Sequence, residues 1–175
     1  MNWIQTYTGK RFNPADPCPE DIDIEDIAIA LSRESRYNGH YSNRNCEFFS
    51  VAQHLVLVSQ VVSSKNALWA VSHDFAEAYI KDIPKPLKEL LPDYQKIEKL
   101  CEKIIFEKFG LIGEIPAEVK EADVRMLYTE RRDLFNEQLK WSKDIKPYDF
   151  KITEFWSPFE ARKKFLKRFN ELYNK

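Results

Sequence analysis

An all-α fold of roughly six helices follows from the way apolar residues recur three and four positions apart along most of the chain. Two further features agree with it. Glycine is scarce, at 4 of 175 residues, and runs of alternating β-branched residues are sparse. The length suits one domain spanning 1–175, large enough to bury a core.

The elements follow in chain order. Residues 1–20 read as irregular because Pro14, Pro17 and Pro19 bar a helix, with a short extended piece at Trp3–Tyr7. Asp23 is placed to cap a helix whose apolar stripe is Ile24, Ile27, Ala28 and Leu31, and Asp26 would complete an acidic variant of the capping box. Arg36 to Asn45 is polar and loop-like. Ser50 or Phe49 starts the next helix, with Val51, Leu55, Val58 and Val62 in register. Asn66 caps a further run carrying Leu68, Val71, Phe75 and Tyr79, which Ile83-Pro84-Lys85-Pro86 ends. Asp93–Phe109 forms an amphipathic helix stopped by Gly110 at C′. Pro116 opens a long helix from Ala117 to about Asn136. Residues 137–156 carry little pattern. Pro158 stands at the first position of a last helix, with Phe159, Phe165 and Phe169 as core contacts.

Composition narrows the function. The formal net charge is -1, so no basic excess exists to hold a nucleic-acid polymer, and any phosphate must be met by a few local cations and a metal. Cys18, Cys46 and Cys101 are odd in number and far apart, which argues for free thiols in a reducing cytoplasm rather than a disulfide framework or thiolate zinc. The N-terminus lacks the pattern of a signal peptide, and no apolar stretch is long enough for a membrane span. The expected location is therefore the cytoplasm, that of the host if the chain is phage-encoded.

One constellation carries chemistry. His54 interrupts an apolar helix; His73, Asp74 and Glu77 interrupt another; Asp123 lies on a third. A lone helical histidine is more often structural. Several ionisable groups on core-forming helices are costly to desolvate, and a cation offsets that cost. Two imidazoles with two carboxylates suit one borderline-to-hard divalent ion such as Co, Mn, Zn, Fe or Mg. Glu77 is one turn beyond His73, where a general acid or base would sit.

At these residues the sequence resembles the HD-domain phosphohydrolase superfamily, whose metal ligands follow the order His…His-Asp…Asp. The resemblance extends to Arg36-Tyr37-Asn38-Gly39-His40, Phe49-Ser50-Val51-Ala52-Gln53-His54, Asp82-Ile83-Pro84-Lys85-Pro86-Leu87-Lys88, Val119-Lys120-Glu121-Ala122-Asp123 and Thr129-Glu130-Arg131-Arg132-Asp133-Leu134. These segments are similar to the bacterial and phage subgroup of 5′-deoxynucleotidases and phage dATP triphosphohydrolases. The similarity covers residues 1 to about 136. It implies an HD-type helical bundle and metal-assisted cleavage of the 5′ phosphoester of a deoxynucleotide. His54, His73, Asp74 and Asp123 would bind metal, Glu77 and Asp82 would position or activate water, and Arg36 would contact phosphate. The stretch Tyr41–Glu47 is longer than in the subgroup, and Tyr37 stands where Trp or Phe is common. Both changes bear on base preference more than on chemistry.

Around this set, Arg36 is either a phosphate clamp or a helix-end cation. His40 is expected to touch phosphate or substrate, with a structural role second; Lys81 is expected to neutralise phosphates; and Lys120, on the metal-facing side of its helix, is either a phosphate contact or a surface lysine. Tyr37 is either a stacking face for a base or part of the core. Glu130-Arg131-Arg132-Asp133 reads as inter-helix or subunit salt bridges rather than catalytic contacts. The expected partners are an adenine-containing deoxynucleotide and further copies of the chain, a dimer or higher, with no nucleic-acid polymer and no membrane. The alternatives are a 5′-deoxynucleotidase restricted to monophosphates and a catalytically inactive nucleotide sensor. With only His40, His54 and His73 in the chain, the multinuclear site of a cyclic-dinucleotide phosphodiesterase is hard to build.

Overall fold

A short hairpin opens the chain in the computed structural model, which describes residues 2–137, 139, 141 and 144–174. Strand β1 (Ile4–Gln5) pairs antiparallel with β2 (Arg11–Phe12), joining Ile4 to Phe12 and Gln5 to Arg11. Phe12 is fully buried and stacks on Tyr79 with ring centroids 4.0 Å apart.

Helix α1 (Ile24–Arg33) starts where Asp23 accepts a hydrogen bond from Glu25 N. The capping box expected from Asp26 does not form. Its side chain is one methylene shorter than the glutamate that such a box uses. Asp26 turns instead to the hairpin, accepting from Thr8 N at 2.6 Å and Thr8 Oγ1 at 2.8 Å. A short antiparallel bridge between Ser35 and Ser50 follows, with Arg36 N donating to Phe49 O and Val51 N to Glu34 O. It sets Arg36 beside the start of α2 (Val51–Gln60), which Ser50 caps by accepting from Gln53 N.

The run from Asn66 to Ile80 departs from the single helix that its periodicity predicts. It divides into α3 (Ala67–Ser72) and α4 (Glu77–Ile80). Between them Phe75 N bonds Ser72 O and Glu77 N bonds Asp74 O, the i→i+3 pattern of a tighter 3-10 winding. Asn66 occupies the N-cap position but its side-chain amide donates to Glu118.

Helix α5 (Lys85–Lys88) begins after Pro84, and α6 (Pro92–Lys108) ends as the sequence predicts. Gly110 adopts φ +74°, Gly110 N donates to Glu107 O and Leu111 N to Phe106 O, the pair of bonds of a Schellman motif. Helix α7 spans Ala117–Leu134 and α8 spans Pro158–Tyr173, the latter with a complete Ser157–Glu160 capping box. Phe165 and Phe169 are buried, but Phe159 is exposed, contrary to expectation. Six residues separate Phe159 from Phe165, roughly 240° around the helix, so Ala161 takes the core position.

Helix α2 is central, packing against α1, α3, α7 and α8. Val51, Ala52, Leu55 and Val56 join one apolar cluster with Ile27, Leu31, Val71, Phe75, Phe165 and Phe169. Val58 joins another with Ala70, Val119, Ala122, Met126 and Leu134. Among the described residues no helix is long and apolar enough to cross a membrane.

Candidate metal centre

The two clusters meet at polar residues. His54 projects from α2 with no solvent exposure, His73 and Asp74 stand in the 3-10 stretch after α3, and Asp123 projects from α7. His54 Nε2 lies 3.1 Å from Asp123 Oδ1, and His73 Nε2 lies 3.7 Å from the same oxygen. These three groups offer donor atoms within 4.8 Å of one another and could hold a metal ion. Asp74 stands beside them, with Oδ2 3.4 Å from His73 Nε2 and 3.9 Å from His54 Nε2, outside that mutual set.

The opposite ring nitrogens are already engaged. His73 Nδ1 lies 2.7 Å from Ala70 O. A carbonyl can only accept, so Nδ1 carries the proton. His54 Nδ1 lies 2.5 Å from Glu130 Oε1. Both Nε2 atoms are buried without an aligned hydrogen-bond partner. The Asp123 carboxylate approaches His54 Nε2 to 3.1 Å. Ligands about 2.1 Å from a common ion stand roughly 3.0–3.4 Å apart. The observed separations of 3.1, 3.4, 3.7 and 3.9 Å are near that range. The residues fit a divalent cation.

Without a cation, protons take its place. Burial pulls the His73 imidazole down, but Asp74 and Asp123 outweigh it and hold it up to about 9. Burial and Arg36 oppose the charged form of His54, and Glu130 and Asp123 raise it above its ordinary value. Burial, then Asp74 and Asp82, push the Glu77 carboxyl well above its ordinary range, and Glu77 Oε2 is a buried orphan. Burial, then Glu98 and Asp74, push Glu102 up to about 7. Arg36 opposes the shift at Glu77, and Lys88 and Lys99 oppose it at Glu102, but neither is enough to reverse it.

Glu130, read from the sequence as a salt-bridge residue, does pair with Arg36 at 3.2 Å, but its contact with His54 is what sequence reasoning missed. The side chain is fully buried. One oxygen faces His54; the other accepts from Arg36 Nε at 3.3 Å, Arg36 Nη2 at 3.2 Å and the Tyr37 hydroxyl at 2.9 Å. Burial pushes its carboxyl up, but Arg36 and His54 dominate and hold it below the ordinary value, hence ionised. A clue existed in the spacing, because Asp123, Met126, Glu130 and Leu134 share one stripe of α7.

The other expected contacts divide. Arg36, Tyr37, Asn38, Asp82, Pro84 and Leu127 line a small cavity of about 160 Å³. Arg36 is a buried pivot rather than a solvated helix-end cation; its Nη1 is 3.8 Å from Asp74 Oδ2. Tyr37 holds a left-handed backbone, φ 55° and ψ 26°, with its hydroxyl on Glu130 and Leu127 O and its ring edge-on to Phe135, so it is anchored in the packing. That conformation is unfavourable for a non-glycine residue, and these anchors overdetermine it. His40 is exposed and its ring meets no hydrogen-bond partner among the described residues. Lys81 does not turn inward: its ammonium pairs with Glu34 at 3.0 Å, while Asp82 N also bonds Glu34. Lys120 is exposed, faces Glu114 at 3.9 Å and lines a groove with Lys99, Glu102 and Lys103. Lys120 lies only about 60° around α7 from Asp123, so its exposed side chain, turned to Glu114, rather than its helix position keeps it from the ligand group.

No protein-family model matches the chain. It is 48% identical over 134 residues to the uncharacterized protein YfdR of Escherichia coli K12, covering 77% of this chain and 73% of that protein. It is 31% identical over 128 residues to the uncharacterized protein RCAP_rcc00048 of Rhodobacter capsulatus, covering 69% of this chain and 64% of that protein, slightly under two thirds of its length.

Proposed function

We propose that this chain, which belongs to the family of the Escherichia coli protein YfdR, is a divalent-metal-dependent phosphohydrolase of the HD-domain class acting on deoxynucleotides. One observation carries the metal part: two buried imidazoles, each engaged through Nδ1, turn unpartnered Nε2 atoms toward Asp123. The chain order of His54, His73-Asp74 and Asp123 matches the motif order on which the HD resemblance rests. The deoxynucleotide class rests on the wider set of similar segments, and the preference for adenine on the likeness to phage dATP hydrolases.

In this reading His54, His73 and Asp123 hold the ion, with Asp74 as the fourth ligand. A bound divalent cation would supply Lewis acidity toward a phosphate oxygen and favour a water nucleophile at neutral pH. The remaining steps belong to side chains. Arg36 has its Nε and Nη2 edge on Glu130, which leaves Nη1 donors for a phosphate oxygen at the small cavity. Glu77, whose Oε2 has no hydrogen-bond partner, would exchange a proton with the attacking water and the leaving O5′ once the cation's charge favours its ionised form. Asp82 lines the same cavity and orients the nucleophile. Water adds its oxygen to phosphorus, the P–O5′ bond breaks, and the deoxynucleoside leaves with a 5′-hydroxyl.

The test is product analysis after incubation with dATP, dAMP and ATP in parallel, with Co, Mn, Zn and Mg supplied separately. Deoxyadenosine plus intact triphosphate from dATP is the expected result. Phosphate from dAMP with dATP inert restricts the enzyme to monophosphates. Turnover of ATP equal to dATP defeats deoxy specificity, and no release from any nucleotide with any metal defeats the hydrolase.

A further inference from the structure

We infer that Glu130 is a positioning residue that sets the His54 ring for metal binding and Arg36 for phosphate with the same carboxylate. This deepens the proposed function and rests on its metal site, yet the geometry behind it is independent of the substrate.

Glu130 lies one helical repeat of seven residues from Asp123 on α7, behind His54 as seen from the ligand group. A buried carboxylate is expensive unless every oxygen is satisfied. Here the donors fall into two sets. Oε1 faces His54 Nδ1 at 2.5 Å. Oε2 takes Arg36 Nε, Arg36 Nη2 and the Tyr37 hydroxyl at 3.3, 3.2 and 2.9 Å. An ionised carboxylate only accepts, so its contact with His54 requires Nδ1–H. Neutral imidazole carries one ring proton, and fixing it on Nδ1 leaves the Nε2 lone pair for the cation. The same residue aims the guanidinium: with Nε and Nη2 held, Arg36 presents Nη1 toward Asp74 and the cavity that Asp82 lines. One side chain thus ties metal ligand to phosphate donor across three elements, α2, α7 and the turn holding Arg36.

Glu130→Gln separates these tasks. An amide has one oxygen and one NH2. Arg36 offers donors only, so it retains the oxygen, to which the Tyr37 hydroxyl can still donate, and the NH2 meets His54 Nδ1. That contact favours the tautomer protonated on Nε2, which cannot bind a metal. Removing such an outer partner weakens metal binding by about 10- to 100-fold. The experiment titrates Co²⁺ into the full-length wild-type, Glu130→Gln and Tyr37→Phe proteins, following the visible cobalt absorption. Weaker Co²⁺ binding in Glu130→Gln, wild-type Co²⁺ binding in Tyr37→Phe, and recovery of the cobalt spectrum in Glu130→Gln at excess metal are expected. Equal weakening in both variants overturns the inference, because it signals general loosening of the pocket. So does unchanged affinity in Glu130→Gln. Should Glu130→Gln not fold, nitrogen-15 histidine spectra of the wild-type protein at alkaline pH, with and without zinc, decide the matter directly. A His54 protonated on Nδ1 supports the inference, and one protonated on Nε2 refutes it. The spectra and the cobalt titration do not use turnover, so a protein that hydrolyses no nucleotide can still confirm the role of Glu130.

Discussion

His54 and Glu77 are both buried ionisable side chains beside the same carboxylates, yet their surroundings fit them for different work. His54 has one nitrogen tied to Glu130 and the other facing Asp123, which is the situation of a ligand. Glu77 carries an unpartnered oxygen and stands outside the ligand group, with Asp74 and Asp82 as the acidic neighbours that raise its proton affinity. A group in that position moves protons more readily than it binds a cation. Glu77→Gln keeps the shape and removes the proton exchange. It should bind metal with wild-type stoichiometry and lose turnover by on the order of 10²-fold or more, the range for a general acid or base. Turnover near wild type in the metal-loaded variant would transfer the role to Asp82. At this scale the sequence was informative for residues that break an apolar pattern, as His54, His73 and Asp74 do. For Glu130 a salt bridge was legible in the Glu-Arg-Arg-Asp run, but its contact with His54 was not. Only the packing of α7 on α2 turns Glu130 inward while Arg132 pairs with Asp133 and the carbonyls of Tyr148 and Phe150.

Among the elements, α8 shows how period governs burial once an element has been recognised. Its start was legible from Ser157-Pro158, but three phenylalanines within one helix do not all face the core. Phe165 and Phe169 are four apart and meet Phe75, with centroids 5.7 and 5.9 Å away; Phe159 falls on another face. Phe165→Ala should therefore destabilise the protein by about 3–5 kcal/mol, as truncation of a buried aromatic does. Phe159→Ser should shift stability by less than about 0.5 kcal/mol, the usual range at an exposed site. Urea unfolding of both variants checks the pair, and comparable losses would contradict the packing of α8. The division of α3 from α4 was less legible, since Leu68, Val71, Phe75 and Tyr79 keep helical spacing through it. The tighter winding appears in the backbone bonds from Ser72 to Ala78, at residues of the candidate metal centre. Such a local departure from the α pattern is a common mark of a functional segment. The loop after α1 was legible as a loop, but the left-handed backbone of Tyr37 was not, because it depends on anchors from α7.

At the scale of the whole molecule, the ligands come from α2, the stretch after α3, and α7, so a bound cation would cross-link elements that pack on both apolar clusters. Proton and metal compete for the same Nε2 atoms, and this sets opposite pH trends. In the metal-free protein His73 is raised from its ordinary 6.5 to about 9. A raised folded-state value means that the stabilising contribution is complete below pH 6.5 and is lost as pH climbs through about 9. The metal-free melting temperature should fall across that window. Metal binding must expel those protons, so the affinity should rise over the same interval and level off above it. Since a ligand that binds only the folded state stabilises it by RT ln(1 + L/Kd), L being the free ligand concentration, the rise in melting temperature on adding equal excess Zn²⁺ or Co²⁺ should be larger at pH 8 than at pH 6.5. Thermal scans of chelator-treated protein, with and without metal, at several pH values test this. An increment that is flat with pH, or that shrinks as pH rises, would mean that the imidazoles are not the metal ligands.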